Sequence, residues 1–278
     1  MIRLPLSIIF ALGACGRLHP AAPVSSSPAH PLTSLYQKNL ATYNDATAAT
    51  SGWPSATDCD GTVWAGTAYL GGADANMSLA EWAPGEIHRR PKASGECFPV
   101  ESSSTVSRDD LILYMGAAVA AKDAGALQRL QAYAQANSDW MGQPHDPNYT
   151  LMTPTLVAIL SRAISGGSSG IDIEAPGAKD YQDHIEVEEI LLSTTVNGGA
   201  NGWELALLES LEAQYPDDAL FQAAKGVYTG DCQTAAALLL EKDTPIPTYV
   251  RGDQAALFAK AWWLRAAALV LSHCKEST

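Results

Sequence analysis

Residues 107–137 read SRDDLILYMGAAVAAKDAGALQRLQAYAQAN. Ser107 ahead of Arg108, Asp109 and Asp110 is a helix start, because a capping hydroxyl and first-turn carboxylates suit the free amides and the positive end of the helix dipole. The apolar residues that follow predict one helix over about 108–122 and, after a short polar turn, a second over about 126–138. Outward from this hairpin the same periodicity predicts helices near 32–43, 58–71, 154–165, 180–195, 203–214, 218–228, 233–241 and 253–273. Thr153-Pro154 is a cap with proline at the first helical position, and Asn197-Gly198-Gly199 closes a C-terminus. Alternating strand patterns are scarce, so the fold class is all-α, built of consecutive antiparallel hairpins.

Composition narrows the function classes. The chain has 278 residues, 47% of them hydrophobic, and a net charge of -13. That apolar share excludes a disordered chain, and the acidity disfavours a general nucleic-acid or anionic-lipid surface. No P-loop, G-x-G-x-x-G, G-x-S-x-G or H-E-x-x-H occurs, so no cofactor and no metal site are expected.

Met1-Ile2-Arg3 and the short apolar run Leu4–Leu12 form a signal peptide over residues 1–14. Leu12-Gly13-Ala14-Cys15 resembles the lipobox of bacterial lipoproteins, which implies acylation of Cys15. Gly16 in place of Asp after it implies sorting to the outer membrane, facing the periplasm. Residues 15–31, rich in Pro and Ser, then read as the acylated Cys and a flexible tether, with residues 32–278 as a single all-α domain. The membrane is reached through the lipid anchor alone. In such an oxidising compartment the remaining Cys59, Cys97, Cys232 and Cys274 favour disulfides, with locality pairing Cys59 with Cys97 and Cys232 with Cys274.

Two segments stand apart. Residues 72–106, rich in Gly, Pro and Ser, predict a long functional loop stapled by Cys97. Residues 216–241 resemble a tetratricopeptide-type hairpin, with small residues between the helices and a Gly230-Asp231 turn.

Asp60-Gly61-Thr62-Val63-Trp64, His88-Arg89-Arg90-Pro91, Ser107-Arg108-Asp109 and Leu151-Met152-Thr153-Pro154 resemble, in this order, the motifs of an uncharacterised bacterial family, with Ile87 where that pattern carries Trp. Acidic residues at helix starts together with scattered tryptophans are similar in texture to the α/α-toroid carbohydrate enzymes. The resemblance implies an incomplete α/α toroid and a glycosidase-like cleft.

The residues support a site of that kind. A long loop between the helices that start near Asp58 and Asp109 lets them run parallel, with Asp183-His184 as a third start at the same end. Carboxylates there suit a base, nucleophile or stabiliser. The catalytic candidates are therefore Asp60, Asp109, Asp183, His88 and His184, with Glu86 and Glu101 as further acids in the loop. Arg89, Arg90 and Arg108 can hold an anionic group, and Trp64, Trp82 and Trp140 can offer faces to sugar rings. Location makes a glycan or peptidoglycan fragment the candidate substrate.

The same residues have a structural reading. Asp58, Asp60, Asp109 and Asp110 stabilise helix starts, Arg108 pairs with a neighbouring carboxylate, and Asp183-His184 belongs to a solvated acidic face with Glu186, Glu188 and Glu189. Under that reading the chain is a non-catalytic helical scaffold that binds a protein or glycan in the cell envelope. Trp262-Trp263 belongs to the core either way. Cys15→Ser is expected to move the protein from the membrane fraction to the soluble fraction of fractionated cells; unchanged membrane retention would contradict the lipobox.

Overall fold

The computed structural model describes residues 31–55, 57–95, 105–142, 150–166, 183–199, 202–241 and 255–274. Residues 1–14, expected to form a signal peptide, Cys15, nearly all of the expected tether, Cys97 and Glu101 lie outside the described residues. Among the described residues there are ten α-helices, all where periodicity places them: α1 (Pro31–Thr47), α2 (Gly61–Leu70), α3 (Arg108–Ala120), α4 (Ala124–Ala136), α5 (Pro154–Ser165), α6 (Asp183–Asn197), α7 (Gly202–Gln214), α8 (Ala219–Thr229), α9 (Gln233–Leu240) and α10 (Ala255–His273). The fold is all-α, with two small antiparallel ribbons, β1 (Glu81–Ala83) with β2 (Glu86–Ile87) and β3 (Trp140–Met141) with β4 (Thr150–Leu151).

Local chemistry sets the helix ends. The Thr153 hydroxyl accepts from the Leu156 amide, with Pro154 at the first helical position, where its missing N–H costs nothing. Asp123 caps α4 and Asp218 caps α8, each accepting backbone amides. Gly230 ends α8 in the left-handed conformation (φ 75°), which only glycine adopts freely, and so turns the chain into α9.

Five helices pack in a closed cycle: α2 against α3, α3 against α6, α6 against α8, α8 against α10, and α10 back against α2. Side-chain contacts give their direction. Gly66 faces Leu113 and Leu70 faces Gly116, while Trp64 stacks on Phe258 at 4.7 Å and Gly71 abuts Arg265. Asp109 meets His184 near the starts of α3 and α6. At one end of α6 Asp183 meets Tyr215, just before α8, and at the other Thr194 meets Tyr228. The five helices therefore run parallel, with all their N-termini at one pole. Helices α4, α7 and α9 return antiparallel beside them, and α1 packs over α10 and α9, bridging the place where the last helix meets the first.

Helix α10 is long and apolar enough to cross a membrane by length and composition, yet half of its most apolar window is buried against the neighbouring helices. Trp262 and Trp263 lie in this core, as their sequence context predicts. Cys232 and Cys274 form a disulfide that ties the start of α9 to the end of α10. Cys59 is disulfide-bonded as well.

Within the segment 72–106, residues 77–94 carry short local structure. They form a 3-10 turn, the β1–β2 ribbon and a second 3-10 turn, with Ile87 and His88 fully buried. The ribbon is anchored on α4, where Arg129 donates two hydrogen bonds to Glu81 (2.7 and 2.8 Å).

The α2–α3 contact leaves no room for a side chain at Gly66, since a Cβ there would lie 2.7 Å from the Leu113 Cβ. Gly66→Ala is expected to push the two helices apart and lower unfolding stability by about 1–3 kcal/mol, measured by denaturant titration. An unchanged midpoint would show that the ring does not depend on this approach.

Candidate functional site

The sequence motifs meet at the N-terminal pole because the segment after β2 docks on the start of α2. The Arg89 carbonyl accepts the Thr62 amide (2.8 Å) and the His88 carbonyl accepts the Thr62 hydroxyl (2.7 Å), so this segment satisfies a first-turn amide that the helix cannot satisfy itself. Gly61 permits the approach: a Cβ there would stand 3.0 Å from the Ser55 oxygen and 3.2 Å from the Arg89 oxygen. The Arg89 amide in turn donates to Thr105, two residues ahead of the cap of α3.

With its backbone fixed on both sides, Arg89 sends its guanidinium between two helix starts. Its Nη1 donates to Asp60 Oδ1 at 3.0 Å and to the Cys59 carbonyl at 3.3 Å, and stands 3.9 Å from Asp110 Oδ2. Asp110 is fully buried at the third position of α3 and accepts the Ser107 amide (2.8 Å), completing a capping box. The Ser107 hydroxyl lies within reach of both Asp109 and Asp110. Asp109 Oδ2 faces His184 Nε2 at 3.4 Å, which brings α6 into the cluster.

Three carboxyls in one cluster have their ionisation driven apart. Desolvation, reinforced by the charge of Asp109, raises Asp60 to about 6 against the opposing pull of Arg89. About half of the Asp60 side chain is exposed, so solvent screens part of this effect. Burial raises Asp110 further, to about 7, against Arg89 and with Asp109 adding to it. Burial opposes ionisation of Asp109 too, but the hydrogen bond and charge of His184, the Ser107 hydroxyl and the Arg89 charge outweigh it and hold Asp109 below the usual carboxylate range. The cluster thus pairs a carboxylate that stays ionised with neighbours that hold a proton into weakly acidic pH, the division of labour that acid–base chemistry needs.

The other candidates are placed as follows. Asp183 stands at the first position of α6 but turns to Gln214 (3.1 Å) and Tyr215. His88 is buried, stacked on Trp82 at 3.9 Å and paired with Glu86 at 3.0 Å. Trp82, whose Nε1 donates to the Arg90 carbonyl (2.7 Å), is the aromatic partner of His88, with Ile87 pointing into the core. Arg90 is spent on the carbonyls of Gly95 and Thr57, each at 2.8 Å. Arg108 pairs with buried Glu189 of α6. Trp64 corrects the expectation of a sugar platform, since it is a core residue packed between Phe258 and Trp262. Trp140, in β3, keeps an exposed face.

The acidic run of α6 is also corrected. Asp183, Glu186, Glu188 and Glu189 are all buried rather than solvated, because α6 is packed between ring neighbours and outer helices. Two of these glutamates meet arginines, Glu189 with Arg108 and Glu188 with Arg265. The Arg265 pairing had no local sequence signal, as the two residues are 77 positions apart. Among the described residues no group of three or more His, Cys, Asp or Glu is placed to hold a metal ion.

Arg89→Met is expected to destabilise the fold by about 3 kcal/mol, since it leaves a buried carboxyl without its cation. The sign of the pH dependence follows from the raised Asp110. The folded protein keeps a proton that the unfolded chain releases near pH 4, so this group's contribution is greatest in acid and is lost as the pH rises to about 7. Without Arg89 the window extends upward, and thermal melts should show a larger penalty at pH 8 than at pH 5. Equal penalties would remove Arg89 from the electrostatics of the cluster.

No known protein family, curated protein or solved structure matches the chain.

Proposed function

We propose that the N-terminal pole of the ring is the site of a glycosidase-like hydrolase. The observation that carries this reading is the placement of Asp60 and Asp109 at neighbouring helix starts with unlike partners, Asp60 on Arg89 and Asp109 on His184, which drives their ionisation apart. Asp60, raised and half exposed, serves as the general acid that protonates the leaving oxygen. Asp109, held ionised by His184, serves as base or nucleophile. Arg89 fixes Asp60, while Ser107 and His184 orient Asp109.

The ring of parallel helices with antiparallel helices outside it fits an incomplete α/α toroid, and in that reading the polar pole is its cleft. The lipobox at Cys15 supports an envelope lipoprotein on the outer membrane, facing the periplasm, for which a glycan or peptidoglycan fragment is the accessible polymer. The scaffold reading keeps one specific observation in its favour: Asp110, Arg90 and Trp64 are engaged in caps, carbonyl contacts and core packing rather than held open.

Release of reducing ends from purified peptidoglycan distinguishes the two. The wild-type protein is expected to turn over substrate, and Asp60→Asn and Asp109→Asn each to lower kcat by about 100-fold or more while circular dichroism shows an unchanged helical fold. Activity should fall above about pH 6 as Asp60 ionises, and should persist on the acid side to below the usual carboxylate range, where Asp109 protonates. Wild-type protein without turnover, or an Asp109→Asn variant with full activity, would transfer the assignment to the scaffold.

A further inference from the structure

The opposite pole of the ring holds a cavity of about 850 Å³, within the size range of small-molecule sites. All five ring helices contribute to its walls, mostly with apolar groups such as Leu70, Ile112, Val119, Leu192, Val227 and Leu269. Gly116 lines it beside Leu70, whose side chain fills the space next to the glycine.

Its polar lining consists of hydroxyls, the Glu188–Arg265 pair and His273. Arg265 donates to both carboxylate oxygens of Glu188 (3.2 and 3.5 Å), so the cation is neutralised inside the wall. The Tyr36 hydroxyl donates to the Gly71 carbonyl, Thr194 to Ile190, Thr195 to Leu191 and Ser272 to Ala268. These four hydroxyls donate to the backbone and keep acceptor capacity, while Tyr69, Tyr228, which meets Thr194, and His273, which meets Ser272 (2.7 Å), complete the polar lining. Five parallel helices also end at this pole, which adds the partial negative charge of their last carbonyls. A ligand that fits apolar walls and acceptor groups at the negative ends of helices has an apolar body and a cationic donor at one end, whereas a carboxylate of the same shape meets the acceptors and the dipoles with the wrong sign.

We propose that this cavity is a binding site for an amphiphile that carries a protonated amine at the end of an apolar body. The inference does not depend on hydrolysis at the other pole.

Isothermal titration of the whole protein with octylamine, octanol and octanoate at pH 7.5 tests it. Octylamine is expected to bind saturably at one site per chain and octanoate at least tenfold more weakly, with amide shifts from octylamine confined to the lining, among them Gly116, Leu192 and Leu269. The acidic surface also attracts amines, so Ala268→Phe and Val119→Phe, which fill the cavity from two different helices, supply the control. Each is expected to abolish the saturable phase while far-ultraviolet circular dichroism stays that of the wild type. Absence of saturable octylamine binding, equal affinity for octanoate, shifts scattered over the surface, or undiminished binding in either folded variant would overturn the proposal.

Discussion

The placement of Arg89 is the constraint on which the polar half of the structure depends. Its carbonyl caps α2, its amide is tied to the segment entering α3, and its guanidinium lies between Asp60 and Asp110. A helix start exposes unpaired amides and a positive dipole end, and several such starts side by side repel one another unless negative groups stand among them. Asp60, Asp109, Asp110 and Asp183 supply those groups, and Arg89 and Arg108 keep the acidic excess from becoming a repulsion of its own. The result is a densely charged pole in which each carboxyl has a different set of neighbours.

Parallel packing of five ring helices makes the two poles chemically unlike. The starts gather donors and carboxylates, and the ends gather carbonyls around an apolar cavity. Between them the Glu188–Arg265 pair crosses from α6 to α10 with both side chains nearly sealed from solvent. A pair so buried recovers its desolvation cost only in part through two contacts of 3.2 and 3.5 Å, so it serves position more than net stability. Removal of either partner would leave a charge in the interior, so the pair fixes the relative position of helices that are not sequence neighbours.

The helices were legible because the sequence carries their signals locally. Ser107 with Asp110, Thr153 with Pro154, and Gly230 after α8 are each a cap or stop written within a few residues. The convergence of Asp60, Asp109 and His184 was also legible, since a long connection between two helix starts lets them share a pole. The roles within 88–90 were not. Three adjacent polar residues look alike in sequence, and only the docking of this strand on α2 sends Arg89 into the cluster while His88 stacks under Trp82 and Arg90 turns to carbonyls. Trp64 misled because its burial depends on α10, nearly 200 residues later. The acidic run of α6 misled for the same reason, as the arginine that meets Glu188 comes from α10 and the one that meets Glu189 from α3.

One cluster sets the ionisation of Asp60 and Asp109 apart across weakly acidic pH. A carbon-detected magnetic resonance titration of the aspartate side-chain carboxyls, assigned with Asp60→Asn and Asp109→Asn, measures this directly. An Asp60 midpoint near 6 and an Asp109 midpoint below the usual carboxylate range are expected. Two midpoints together near the ordinary aspartate value would contradict it.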